Sequence, residues 1–166
     1  MTTNTYTAYI DGSCINNGKN NARAGWGVLI DSSLGAILEI AGPLEGERQT
    51  NQRAELTATI MALRAVSKRA QFNLYSDSEY VVKGINERMK DWKARGWKTA
   101  AKKPLENLDL WLEVEALLVL HQVTVSWVKA HSGHPGNDKA DALAENAAKF
   151  QNPHRLKYNK SPDVIA

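Results

Sequence analysis

A chain of 166 residues with 43% hydrophobic and 23% charged content is long enough to bury one core and too short for two. Its single cysteine, Cys14, excludes an internal disulfide and a cysteine-based zinc site, and reads as a small buried thiol in a reducing compartment. The net charge of +3 is unevenly spread: from Arg88 to Lys103 seven Lys/Arg stand against one acid, Asp91, which leaves the rest of the chain mildly acidic.

The start, MTTNTYTAYI, has no basic segment followed by an apolar one, and no apolar run approaches bilayer length, so a soluble cytoplasmic protein without membrane contact is expected. Thr5 to Ile10, Gly25 to Asp31 and Ala36 to Ala41 are β-rich runs separated by INNGKNNARAG and DSSLG, which predicts a three-stranded antiparallel meander. Apolar residues then recur at helical spacing from Thr50 to Arg69 (Leu56, Ile60, Leu63, Val66), with Thr50 as N-cap. Phe72 to Tyr75 reads as a short buried strand, Ser78 to about Lys90 and Asn107 to His121 as helices, and Val123 to Val128 as a last strand. After the loop AHSGHPG, Asn137 is expected to cap a final amphipathic helix through Leu143, Ala147 and Phe150. The order is βββαβααβα. The domain is thus read as residues 1–150, and residues 151–166, aperiodic with two prolines, as a flexible tail.

Within the basic stretch RMKDWKARGWKTAAKK, cations interleave with Trp92 and Trp97. That pairing suits a nucleic acid, cations for phosphate and flat rings for stacking, whereas a solvated helix with two Trp tucked beneath it is the plain alternative. The acids form a second pattern. Asp11 and Asp77 each follow a strand, Glu55 lies in the first turns of a helix, and Asp141 in the first turn of the last one. Singly these are a turn, an N-cap, a solvated side chain and a dipole partner. Gathered at one sheet edge, four carboxylates would repel and rise in pKa unless cations neutralised them. Magnesium or manganese, hard and content with oxygen ligands, is the natural occupant and can assist phosphoryl displacement.

The ordered motifs YIDGSC, TNQRAEL, YSDSEYV, WKARGWKT…KKPLENLDLW and WVKAHSGHPGNDKADALA resemble the type 1 ribonuclease H family, in particular bacterial members with a basic protrusion. The resemblance runs from about Tyr6 to Phe150. It implies an α/β ribonuclease H-like fold, a mixed five-stranded sheet flanked by helices, and metal-dependent hydrolysis of the RNA strand of RNA·DNA hybrids to 5′-phosphate and 3′-hydroxyl ends, by a monomer. It further implies Mg2+, or alternatively Mn2+, with two ions in the substrate complex. By the same analogy Asp11, Glu55, Asp77 and Asp141 are catalytic metal ligands and His131 a mobile loop histidine that moves protons. His121, His134 and His154 are read as ordinary. Arg48, Thr50 and Asn107 match the family's pocket for a DNA-strand phosphate; Asn17, Asn51 and Gln52 match positions facing ribose hydroxyls. Trp92 and Trp97 are the expected aromatic walls of a DNA channel. Glu79, Gln52 and Arg88 depart from usual family residues. A polynucleotidyl transferase or nuclease of the same fold, and an inert hybrid-binding module, are the alternative readings.

Overall fold

The computed structural model describes residues 4–160. Its strands are β1 (Thr5–Ile15), β2 (Arg23–Ser32), β3 (Ala36–Pro43), β4 (Gln71–Ser76), β5 (Gln122–Trp127) and β6 (His154–Asn159). They form one sheet in the order β5-β4-β1-β2-β3-β6. The β1–β2–β3 meander is antiparallel, β4 and β5 join it parallel to β1, and β6 pairs antiparallel with β3. The expected mixed sheet is present, with six strands rather than five.

The sixth strand corrects the reading of the tail. Residues 154–159 pair from Ala41↔His154 to Ala36↔Asn159, while 161–166, the remainder of the expected tail, lie outside the described residues. All six β6 residues are exposed, so no apolar alternation announces the strand. Buried Glu39 anchors it instead: its carboxylate accepts from the Tyr158 hydroxyl (2.8 Å), pairs with His154 Nε2 (3.1 Å) and lies 3.6 Å from Lys139 Nζ. Burial alone would raise the Glu39 carboxyl, but the Tyr158 and His154 hydrogen bonds and the Lys139 charge outweigh it and hold it below its ordinary value.

The helices are α1 (Asn51–Arg64), α2 (Glu79–Lys83), α3 (Met89–Ala94), α4 (Leu108–Leu120) and α5 (Pro135–Phe150), with a π-helical turn (Gly84–Arg88) joining α2 to α3. Thr50 caps α1 as expected, its hydroxyl accepting from the Arg53 N–H (3.1 Å), a device worth about 1 kcal/mol. The helix buries Leu56, Ile60 and Leu63 against the sheet, each contributing roughly 1.5–3 kcal/mol. Gly84, the first residue of the π turn, makes room for Trp111, which is wholly buried: a Cβ there would lie 2.2 Å from its ring. Helix α5 begins earlier than expected. His134 is its N-cap and Pro135, which has no N–H to lose, opens its first turn, so Asn137 is inside the helix and Asp141 lies in its second turn.

Two glycines, Gly12 on β1 and Gly27 on β2, let helices approach the sheet closely enough to form a site. A Cβ on Gly12 would lie 2.4 Å from the Glu55 backbone nitrogen, and one on Gly27, the cross-strand partner of Asp11, would lie 2.5 Å from the Ala140 carbonyl oxygen. Any side chain at either position would push α1 or α5 away from the sheet. The Asp11-Gly12 pair is thus not a turn but the middle of a long strand, with α1 on the Gly12 face and α5 on the Asp11 face.

Candidate active site

Strand β4 flanks β1 only as far as Ile10↔Ser76, so Asp11 and Asp77 are the first residues of the two segments beyond their parallel pairing. Asp11 is nonetheless 95% buried, because β1 continues beside β2 and α5 covers that face. Its Oδ1 accepts from the Gly12 N–H (2.9 Å), and its carboxyl lies within hydrogen-bonding reach of Asp141. Burial first, then the Asp141 hydrogen bond and the charges of Asp77 and Asp141, push the Asp11 carboxyl up to about 9.

Glu55 enters from α1 and is likewise buried. Its Oε1 accepts from the Asn51 amide (2.9 Å) and its Oε2 from the Ser78 hydroxyl (2.5 Å). Burial raises its carboxyl to about 7; the Asp77 charge adds to this, and the Ser78 and Asn51 hydrogen bonds oppose it. Ser78 does double duty, since the same hydroxyl accepts from Val81 N–H as the N-cap of α2. The cap foreseen at Asp77 therefore belongs to Ser78, which frees the Asp77 carboxylate. That group accepts at Oδ2 from the Asn137 amide (3.3 Å), and its backbone carbonyl accepts from the Trp127 indole N–H (3.2 Å).

The four acids thus converge from β1, α1, the end of β4 and α5. Among the described residues no three His, Cys, Asp or Glu side chains are gathered closely enough to hold a metal ion by themselves. Magnesium takes water and substrate oxygens into its shell and does not need an all-protein cage. The donor set is all oxygen, and two of its members are raised in pKa by crowding and burial. These residues therefore fit a hard divalent cation, which would relieve the excess of negative charge.

His131 lies on the loop between β5 and α5, exposed, at φ 54° beside Gly133 at φ 81°. Ser132 ties that loop to the Lys129 carbonyl (2.7 Å). The other three histidines are structural. His121 is buried and bridges Ala70 N–H (3.1 Å) to the Leu63 carbonyl (2.9 Å), which places its proton on Nε2. His134 caps α5, and His154 anchors β6.

On the flank of the acids, Asn17 Oδ1 accepts from the Asn51 N–H (3.2 Å), which brings the β1–β2 turn to the start of α1, and Gln52 is exposed beside them. Arg48 is exposed and 3.6 Å from Asp109, while Asn107 precedes α4 at φ 58°. Trp92 and Trp97 are partly buried and packed on the core, Trp92 edge-on to Trp111 at 5.0 Å. They anchor the basic segment to the core, and their exposed parts remain for a ligand. Lys93 is engaged with Glu115 (2.8 Å), whereas Lys90, Arg95 and Lys98 have no ion pair among the described residues.

Sequence reasoning missed four residues that support the site: Arg53, Ser78, Trp127 and, misread as a cap, Asn137. Only Ser78 had a local signal, the SDSE pattern at a helix start. The others act on residues far away in the chain.

A model of the RNase H family matches residues 3–149. A protein named Ribonuclease H from Cupriavidus necator is 46% identical over 144 residues, 83% of this chain and 91% of that protein. One of the same name from Ralstonia nicotianae is 47% identical over 145 residues, 87% of this chain and 91% of that protein. The crystal structure of LC9-RNase H1, a type 1 RNase H with the type 2 active-site motif, superposes with a TM-score of 0.81 at 31% identity, over 99% of this chain and 81% of that one. A six-stranded mixed sheet with four acids at one edge, matched along nearly its whole length by these relatives, places the chain in the ribonuclease H family as a type 1-like enzyme.

Proposed function

We propose that this chain, a ribonuclease H acting on the RNA strand of RNA·DNA hybrids, does so with Asp11, Glu55, Asp77 and Asp141 as the ligands of its divalent metal. Magnesium is the assigned ion, manganese the alternate, and two ions are held once substrate is bound. The observation that carries the reading is the convergence of these four carboxylates, with Asp11 and Glu55 raised to about 9 and about 7. A mere hybrid binder gains nothing from anions beside phosphate. When bound, the metal offsets charge on the attacking and leaving oxygens of an in-line displacement.

The protein's own groups supply orientation and proton handling. Asn51 and Ser78 each occupy one oxygen of Glu55, and Asn137 occupies Oδ2 of Asp77, which restricts the lone pairs these acids offer. His131, exposed on its loop, moves a proton at the leaving 3′-oxygen as the RNA strand separates into 5′-phosphate and 3′-hydroxyl ends. Asn17, Asn51 and Gln52 present amides that both donate to and accept from a 2′-hydroxyl, a group only RNA has. Arg48, Thr50 and Asn107 receive a phosphate of the DNA strand. The cations of 88–103 hold the duplex, with the exposed parts of Trp92 and Trp97 beside it. The proposal is of a monomer acting in the cytoplasm.

The test uses end-labelled RNA·DNA hybrid, double-stranded RNA and a four-way junction, each with magnesium or chelator. Magnesium-dependent cutting of the hybrid alone is expected. Junction cutting would favour the polynucleotidyl transferase reading, and binding without cutting the inert module.

A further inference from the structure

Beside the acids, three residues read as the DNA-strand phosphate pocket all lead to a fourth that is not among them. Arg53 lies in the first turn of α1 and is only 9% exposed. Its backbone N–H donates to Thr50 Oγ1 (3.1 Å) and its Nη1 donates to Asn107 Oδ1 (3.3 Å). Both terminal nitrogens also grip the Asp109 carboxylate (2.9 and 2.8 Å), the group that holds Arg48 loosely at 3.6 Å.

Asn107 itself sits in the left-handed region, φ 58° and ψ 28°, where a non-glycine residue needs support from its surroundings. Its amide nitrogen donates to the Tyr80 hydroxyl (3.0 Å), which also accepts from the buried Trp111 indole (3.0 Å). With Oδ1 on a guanidinium and one amide hydrogen on Tyr80, the amide has a single orientation, and its second hydrogen is left for an anion. Arg53 is badly placed to bind that anion itself, since its Nε is buried without a partner among the described residues and Nη1 serves two acceptors.

We propose that Arg53, with Asp109 as counter-ion and Tyr80 as second anchor, is the positioning residue of the DNA-strand phosphate pocket, setting the Asn107 amide and the reach of Arg48. The inference rests on the reading of Arg48, Thr50 and Asn107 as that pocket. The arrangement persists across the working pH range, because hydrogen bonds from Arg53 hold the Asp109 carboxyl down at about 2. A lysine at position 53 would keep the charge but could not reach Asp109 and Asn107 at once.

Two variants test it, Arg53→Lys and Tyr80→Phe, the second keeping the ring that packs on Trp111. Hybrids carrying one methylphosphonate at successive positions of the DNA strand are titrated against each protein in chelator, so that binding is read without turnover. In the parent, one position should stand out, weakening binding about 10-fold as a charge-assisted hydrogen bond is lost. In both variants that penalty should largely vanish, and with magnesium KM should rise about 5- to 20-fold while kcat stays within about 2-fold. A full methylphosphonate penalty in a folded variant, or a loss confined to kcat, would overturn the role of Arg53 and leave the pocket standing. If no DNA phosphate stands out in the parent, the pocket reading itself fails, and the inference with it.

Discussion

Replacing Asp11 by Asn removes one charge from the acidic cluster and keeps the shape of the side chain. In the metal-free protein the Asp11 carboxyl titrates at about 9, raised chiefly by burial and then by Asp141 and Asp77, against an ordinary value of 3.8 when the chain is unfolded. Between those values the folded state binds more protons than the unfolded one, so stability falls as pH rises. At pH 8 the interval is about 4 pH units, which at ~1.4 kcal/mol per unit bounds the cost at about 5–6 kcal/mol. Proton sharing with Asp141 and the site's contact with water reduce this by about half, to ~2–3 kcal/mol. Asparagine avoids the cost altogether. In chelator at pH 8, Asp11→Asn should therefore melt about 5–10 °C above the parent, and at pH 5 only about 2 °C above it. Saturating magnesium should raise the parent and shift the variant much less, since binding stabilises only the form with a complete ligand set. Hybrid cleavage should be abolished. Melts followed by circular dichroism at both pH values, with chelator and with magnesium, read all of this. An equal melting difference at pH 5 and pH 8 would show that the carboxylates are not crowded, and near-normal magnesium-dependent turnover would remove Asp11 from the ligand set.

Neutralising Lys90, Arg95 and Lys98 should raise KM and flatten its salt dependence by up to about one unit of slope per phosphate contact, with kcat little changed. Lys93, engaged with Glu115 at 2.8 Å, should contribute less than any of the three; a large kcat loss at unchanged salt slope would contradict the assignment. His131→Ala should cut turnover about 10- to 1000-fold with hybrid affinity intact, because water can partly replace an exposed shuttle. Inactivation as complete as that of Asp77→Asn would instead give His131 a ligand or structural role. A DNA duplex with a short run of ribonucleotides should be cleaved only inside the run, and only when several riboses are adjacent, leaving 5′-phosphate and 3′-hydroxyl ends. Cyclic phosphate ends would mean attack by the 2′-hydroxyl and would overturn the mechanism.

Much of this molecule is legible in one dimension because the responsible interactions are local. Thr50 caps α1 through a residue three places on, the Leu56–Ile60–Leu63 spacing buries one helix face, and the short apolar runs before Asp11 and Asp77 are strands that deliver a carboxylate to the sheet edge. The family motifs are legible for the same reason, as short patterns in a constant order. What required the folded chain is every role set by a distant partner. Asn137 has the composition of a helix cap, yet Pro135 starts the helix earlier, and burial turns its amide toward Asp77, sixty residues away. Arg53 reads as one more cation on α1 until Asn107 and Asp109 arrive from the far side of the chain. Trp92 and Trp97, set among lysines, resemble a nucleic-acid platform, and only the fold shows that both are also partly buried against the core, Trp92 edge-on to the Trp111 ring that fills the space left at Gly84. Strand β6 lacks a buried face and hence any periodic signal; its place is decided by backbone pairing with β3 and by the buried carboxylate of Glu39, which only its own Tyr158 and His154, together with Lys139, can satisfy. Local periodicity encodes which elements form, whereas burial and the pairing of polar groups across the sheet decide which side chains do chemistry and which hold them in place.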